Sequence, residues 1–184
     1  NIYLGGMIPL SGRLVRQKGV VPAARIALEL IDRDPNVLKD YKLELLIQDT
    51  QCQPDIVLTQ FLQYLVNTTH PIAGILGPSC SETAEPIAGV AKHFNHILVS
   101  YSAEAVHLSK RAMFPYFFRT VPHISQNGEV FIELFSRLGW RQVALLAEDG
   151  QEFPEYHAFL QDLFSQHNID IVFHRKMPRA TATD

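Results

Sequence analysis

Seven consecutive residues, Gly77-Pro78-Ser79-Cys80-Ser81-Glu82-Thr83, carry the densest chemistry in the chain. They follow the apolar run Ile72–Leu76 and precede a helical pattern, so they occupy the strand-to-helix turn where open α/β sheets bind ligands. The amides of a first helical turn, aided by the helix dipole, favour a small anion such as a carboxylate. Ser79 with Glu82, or Ser81 with Glu85, also has the spacing of a capping box. The competing reading is that these serines only cap their own helix.

A second polar turn, Ser100-Tyr101-Ser102-Ala103-Glu104, leaves the next apolar run at the same predicted sheet edge. Its hydroxyls and amides can meet a polar ligand, and Tyr101 offers a stacking face. A plain polar loop is the alternative. Two such turns at one edge reinforce each other, so Ser79, Ser81, Tyr101, Ser102 and Glu104 are the candidate ligand-binding residues.

Other constellations carry less. His93 and His96 lie three apart with no third ligand in sight, so they read as solvated surface histidines rather than a metal site. The serine turn reads G-P-S-C-S, which is not the G-x-S-x-G nucleophile elbow. No G-x-G-x-x-G follows the first strand, since Gly5-Gly6 has the wrong spacing. Glu148, Asp149, Glu152 and Glu155 read as a solvated acidic loop face, and Arg13, Arg16 and Lys18 as ordinary surface charge. No nucleophile–base pair or metal set emerges; an enzyme is the weakest reading, and no cofactor is expected.

The elements that must position these turns alternate strand, helix, strand, helix. Strands are expected at Tyr3–Leu10, Leu43–Ile47, Ile72–Leu76 and Ile97–Ser100. Pro22 opens a helix carrying Ala24, Ala27, Leu28 and Ile31. A second follows Pro54-Asp55 with Ile56, Val57, Phe61 and Leu65, and a third runs to about Asn95 with Ile87, Val90, Ala91 and Phe94 inward. This alternation predicts a parallel sheet with helices on both faces.

The rhythm lapses from Tyr101 to Met113. Phe114–Thr120 is extended and aromatic, and reads as packing at a crossover between two lobes. It resumes with a helix at Ser125–Leu138 stopped by Gly139, a strand Gln142–Ala147, a loop with Gly150 and Pro154, a helix to about His167 and a strand Ile169–Phe173. The division falls near Val121-Pro122, giving residues 1–121 as lobe 1 and 122–184 as the first part of lobe 2. Two strands are too few to bury a core alone, so the second lobe is expected to be incomplete.

The 184 residues, 47% hydrophobic, suffice for one α/β domain or for one lobe and part of another. A net charge of −3 gives no electrostatic footing for nucleic acid or an anionic membrane surface. No apolar run approaches the roughly 20 residues that span a bilayer. Without an initiator Met, a basic leader or a cleavage site at Asn1, the chain reads as an excised mature segment. The even pair Cys52 and Cys80, with the sequon Asn67-Thr68-Thr69 between them, favours an oxidising compartment over two buried free thiols.

Several segments resemble one family. Phe114-Pro115-Tyr116-Phe117-Phe118-Arg119-Thr120-Val121-Pro122 is similar to the F-P-x-F-F-R-T-x-P run of metabotropic γ-aminobutyric acid (type B) receptor ectodomains. Ile2–Gly12, Asp49-Thr50-Gln51-Cys52, Gly77–Ser81, Ser100-Tyr101 and Leu138-Gly139-Trp140 also resemble segments of that family, in the same order over nearly the whole chain. The resemblance implies a periplasmic-binding-protein-like (type I) Venus-flytrap module, whose two α/β lobes close around a ligand outside the cell. That module is attached to a class C, seven-helix G-protein-coupled receptor in the cell membrane. It implies a Cys52–Cys80 disulfide, worth roughly 3 kcal/mol in the chain-entropy model; the sequon itself makes Asn67 the candidate glycosylation site.

Residue by residue, Ser81 matches the family serine that holds the agonist carboxylate. The family's tryptophan after S-G aligns with Leu14, its second carboxylate-contacting serine with Glu104, and its histidine after F-F-R-T with Val121. A carboxylate at Glu104 would repel an anion, and one non-agonist-binding partner subunit of the family also has valine at the Val121 position. These departures point to that partner subunit, or a divergent relative, at least as much as to the agonist-binding one. The expected ligand is an amino-acid-like molecule of the γ-aminobutyric acid class, or none directly. The resemblance further implies pairing with a second subunit through the helix after Cys52, by Phe61, Leu62, Leu65 and Val66, and G-protein coupling through an absent transmembrane part. A fully buried helix is the alternative for that surface. The alternative function is a soluble periplasmic-type amino-acid-binding protein of a transporter.

Overall fold

The computed structural model describes residues 1–12, 19–148 and 153–177. The elements in order are strand β1 (Ile2–Ile8), helix α1 (Val20–Arg33), β2 (Leu43–Asp49), α2 (Pro54–Val66), β3 (Ile72–Leu76), α3 (Ser81–Ala91), β4 (Leu98–Ser100), a 3-10 turn (Val106–Ser109), β5 (Phe117–Arg119), α4 (Gln126–Leu138), β6 (Gln142–Glu148), α5 (Phe153–Gln166) and β7 (Asp170–Met177). By their contacts they form two units. The first joins Asn1–Ala103 with Lys110–Val121, and the second joins Glu104–Ser109 with the chain from Pro122.

The first unit is a five-stranded sheet in the order β2-β1-β3-β4-β5, every neighbouring pair parallel. Parallel strands need cover on their faces. Helix α2 supplies it with Val57, Phe61 and Tyr64, and α3 with Ala84, Ile87, Ala88 and Ala91, whose small side chains permit close approach to the sheet. Met7, Ile8, Val57, Phe61, Ile87 and Leu98 are fully buried. Each large side chain of that kind contributes about 1.5–3 kcal/mol of transfer free energy.

Tyr64 shows how a close approach is purchased with glycine. A Cβ at Gly5 would lie 2.8 Å from the Tyr64 ring, so only the bare strand backbone lets the ring sit against β1. The phenol donates to the Leu46 carbonyl at 2.5 Å. Burial pushes that phenol up to about 12, against a smaller opposing effect of the hydrogen bond to the Gly6 carbonyl, so it stays a protonated donor.

Three expectations need correcting here. Phe61 does not face outward: it is fully buried and meets the edges of Phe94 and His96 at centroid distances of 6.3 and 6.4 Å. Phe94 is not on an inner helical face, because α3 ends at Ala91 and leaves Phe94 in the following turn at 47% exposure. The segment Phe114–Thr120 is no mere crossover packing: Leu98 N–H donates to the Tyr116 carbonyl at 2.9 Å and Thr120 N–H to the Ser100 carbonyl at 3.0 Å, which makes β5 the fifth strand. Arg111 clamps that strand, donating to the Phe117 carbonyl at 2.6 Å and lying 4.8 Å over the Phe118 ring.

In the second unit β6 and β7 form a parallel pair. Leu160, Phe164 and Ile169 centre its core, with Phe131, Phe135, Val143, Leu145 and Ile171 packed around them. Helices α4 and α5 meet at Gly128, where a Cβ would come within 2.5 Å of Leu163. Gly139 ends α4 as expected, with φ +67° and the Trp140 amide returning to the Phe135 carbonyl at 2.9 Å. Pro154 belongs to the first turn of α5 rather than to a loop, a position that suits its missing N–H. Gly150, Asp149 and Glu152 lie outside the described residues, as do Arg13, Leu14, Arg16 and Lys18.

Asp49 ends β2 and anchors the start of the loop after β1. Its carboxylate accepts from the Leu10 and Ser11 amides at 2.8 and 3.2 Å, from the Gln51 amide at 3.1 Å and from the Ser11 hydroxyl. Burial raises its pKa, but the Ser11 hydroxyl and those amides outweigh it and hold the carboxyl below its ordinary 3.8. A depressed carboxylate stabilises the fold above its unfolded value and loses that contribution as pH falls through the folded one. Amide-exchange protection at Leu10, Ser11 and Gln51 should therefore persist at neutral pH and fade from pH 3.8 downward, while Asp49→Asn abolishes that acid step. Tyr64→Phe, which deletes one buried hydrogen bond but keeps the ring against Gly5, should lower the urea midpoint by the equivalent of about 1 kcal/mol with an unchanged slope.

Candidate functional site

All strands of the first sheet run the same way, so the ends of β1, β2, β3 and β4 deliver their loops to one edge. The loop after β3 opens with Gly77 at φ +103°, where a Cβ would fall 2.3 Å from the Met7 carbonyl oxygen; no other residue fits. The Gly77–Pro78 peptide is cis, and the Gly77 amide donates to the Val99 carbonyl at 2.8 Å.

Ser100, the last residue of β4, then joins two loops. Its fully buried hydroxyl donates to the Pro78 carbonyl at 2.6 Å and accepts from the Ala103 amide at 3.0 Å. One atom therefore holds the turn after β3 and the turn after β4. A second tie runs beside it, from Tyr101 to the Ser79 side chain. Burial pushes the Tyr101 phenol up and the Ser79 hydrogen bond opposes that shift. Arg119, at the end of β5, donates to the Ala103 carbonyl at 3.1 Å and brings a cation to the same edge.

Below these turns, Cys52 and Cys80 form a disulfide with their Cα atoms 5.9 Å apart. Gln51 and Cys52 both adopt left-handed backbone, φ +50° and +58°, a conformation that costs non-glycine residues about 1 kcal/mol or more each. The surroundings enforce it: Thr50 N–H donates to the Ile8 carbonyl at 3.1 Å, Gln53 N–H to the Thr50 carbonyl at 3.0 Å, and the cystine holds the other side.

The capping-box expectation fails. The N-cap of α3 is Cys80, whose side chain is spent on the disulfide, and no side-chain cap hydrogen bond forms. Thr83 instead turns its hydroxyl back to the Cys80 carbonyl at 2.8 Å. Ser79 and Ser81 are nonetheless drawn inward, 3% and 5% exposed, at the positive end of the helix dipole.

Of the predicted ligand residues, the structure brings Ser79, Ser81, Tyr101 and Ser102 together at this edge. Glu104 groups with the second unit, where its carbonyl accepts from the Ile124 amide at 2.9 Å. Ser100 and Arg119 stand outside the five candidate ligand residues; a serine closing a strand just before a polar turn is the sequence signal for Ser100. Among the described residues no group of three or more His, Cys, Asp or Glu could hold a metal ion. No helix among them is long and apolar enough to cross a membrane.

On α2 the side opposite Val57, Phe61 and Tyr64 carries Leu58, Leu62 and Val66 at helical spacing, with Val66 76% exposed and Leu65 half-buried between the two faces. Asn67 closes that helix, its side-chain oxygen accepting from the Thr69 and His70 amides at 3.1 and 3.0 Å, so the sequon forms a turn.

Comparison with known proteins supplies the context for this edge. The family described as "Receptor family ligand binding region" matches residues 19–184. "Gamma-aminobutyric acid type B receptor subunit 1" of Mus musculus is 31% identical over 172 residues, 94% of this chain and 18% of the relative. "Gamma-aminobutyric acid type B receptor subunit 2" of Rattus norvegicus is 28% identical over 169 residues, 90% of this chain and 18% of the relative. "Metabotropic glutamate receptor 8" of Homo sapiens is 26% identical over 211 residues, 97% of this chain and 23% of the relative. The chain thus spans about a fifth of the length of the curated relatives it matches. With a parallel sheet flanked by helices, polar turns tied at its carboxyl edge and a match over residues 19–184, the chain belongs to the receptor family ligand binding region family.

Proposed function

We propose that this chain forms part of the extracellular ligand-binding and dimerisation module of a γ-aminobutyric acid type B receptor-like subunit of a class C G-protein-coupled receptor. The carrying observation is the start of α3, pinned by the Cys52–Cys80 disulfide and by Ser100 at the edge where parallel sheets receive ligands. An amino-acid carboxylate would meet the helix dipole there with the Ser81 hydroxyl beside it, and Tyr101 would flank it. Ser79 and Ser102 would shape the two turns. Glu104 stands where the receptor family uses a second carboxylate-contacting serine, and it disfavours an anion. The non-agonist-binding role, with a partner subunit taking the agonist, is therefore the preferred one.

Residues 1–121 would form the first lobe and 122–184 the beginning of the second. Leu62 and Val66, with Leu65 at the margin, would face the partner subunit through their exposed α2 stripe. Asn67 would carry a glycan on the outer side of the cell membrane. Ligand occupancy would act by shifting a population between receptor states, coupled to G protein through a membrane part of the protein. The transporter-protein alternative loses support, since the relatives described above are named as receptors.

Equilibrium binding of labelled γ-aminobutyric acid, to the full chain alone and co-expressed with an agonist-binding type B subunit, tests this. The chain alone should bind no better than millimolar, and Glu104→Ser should strengthen binding about tenfold, a gain that Ser81→Ala removes. Tight binding by the unaltered chain, unaffected by Ser81→Ala, would refute the assignment of the carboxylate site.

A further inference from the structure

Helix α5 and strand β7 of the second unit meet across a cluster of basic side chains. His157, Leu160, Gln161 and Phe164 share one face of α5 by their three- and four-residue spacing, and Leu160 and Phe164 sit in the core. On β7, His174 stands opposite Leu145 of β6, which packs on that same core, so the parallel register turns the imidazole toward the helix. The two rings meet with centroids 4.0 Å apart and planes inclined at 38°. Lys176, two residues further along β7, projects to the same side.

The Nε2 atom of His157 is enclosed and has no hydrogen-bond partner among the described residues. Gln161, one turn on, hydrogen-bonds the ring. A proton added at Nε2 therefore finds no acceptor there and lies against a second imidazole. The charges acting on His157 come from His174 and Lys176 of β7. Their register neighbours on β6, Leu145 and Ala147, carry no charge, and the α4 side chains packed on the core are apolar.

Loss of water around the ring, and then the charges of His174 and Lys176, hold the His157 pKa below its ordinary 6.5, against a smaller opposing effect of the Gln161 bond. A base held down in this way stabilises the fold in full above 6.5. The unfolded chain takes up the proton first, so the contribution is lost as pH falls from 6.5 toward the folded value. We infer that His157, His174 and Lys176 form a proton-sensitive latch between α5 and β7, closed while both imidazoles are neutral and loosened when both are charged. Leu160 and Phe164 hold the rest of the helix, so the opening is local. The Asp49 tie in the first unit is lost only from 3.8 downward, so the two units respond to acid in separate ranges.

Amide exchange of the full chain, corrected for its intrinsic pH dependence, tests this alongside the imidazole proton resonances, from about pH 7.5 to about pH 5. On acidification, protection at residues 157–161 and 174–176 should fall about threefold or more, while β1 and β2 keep theirs. His157→Gln should remove that loss. Lys176→Glu, at an exposed position, should raise the His157 titration midpoint by about half a unit or more and blunt the loss. An acid loss that survives His157→Gln, a His157 midpoint at or above 6.5 in the unaltered chain, or a midpoint unmoved by Lys176→Glu would overturn the inference.

Discussion

The arrangement of the sheet edge depends on one buried hydroxyl. Ser100 sits at the end of β4 with no solvent exposure, and its proton satisfies the Pro78 carbonyl while its lone pair satisfies the Ala103 amide. A buried hydroxyl with one donor and one acceptor bond filled is stable only where both partners are held still, so the two turns cannot move independently without stranding a polar group. The cystine acts below it on the same β3–α3 turn, and Arg119 acts above it on the β4 turn. Three ties of different chemistry converge on these two turns: a covalent link, a neutral hydrogen bond and a charge-assisted one.

Preorganisation of this kind is what the proposed carboxylate site would require. A helix dipole attracts a carboxylate weakly where water and loop motion screen it, and more strongly where the first turn is fixed and half-enclosed. Here Gly77, Pro78 and Cys80 remove the conformational freedom of the approach to α3, so the cost of ordering that turn is met in folding rather than in binding. The same logic explains the price of two left-handed residues at Gln51 and Cys52: the turn must reach Cys80, and the sheet register dictates where it starts.

Much of this was legible in the chain. Every strand and helix of the first unit except β5 announced itself by apolar runs and helical spacing, and Gly139 marked the end of α4 through the one conformation it tolerates easily. What failed has physical causes. β5 is three residues long, follows Pro115 and carries aromatics on both sides, so it shows no alternation to read. Phe61 reads as outward in the sequence because α2 has apolar residues around much of its circumference, and its face is decided by tertiary packing, with Phe94 and His96 among the rings it meets. The capping box misled because a disulfide displaced the cap to Cys80, and pairing is a tertiary fact. The grouping of Glu104–Ser109 with the second unit, and the meeting of His157 with His174, depend on contacts that no local pattern encodes.

The central claim is that one hydroxyl fastens both turns. Amide hydrogen exchange of Ser100→Ala against the unaltered chain measures it directly, because local opening is read residue by residue. The two turns, at Gly77–Thr83 and at Ser102–Ala103, should lose protection together while β1 and β2 keep theirs. Loss confined to Ser102–Ala103, with Gly77–Thr83 unchanged, would contradict it.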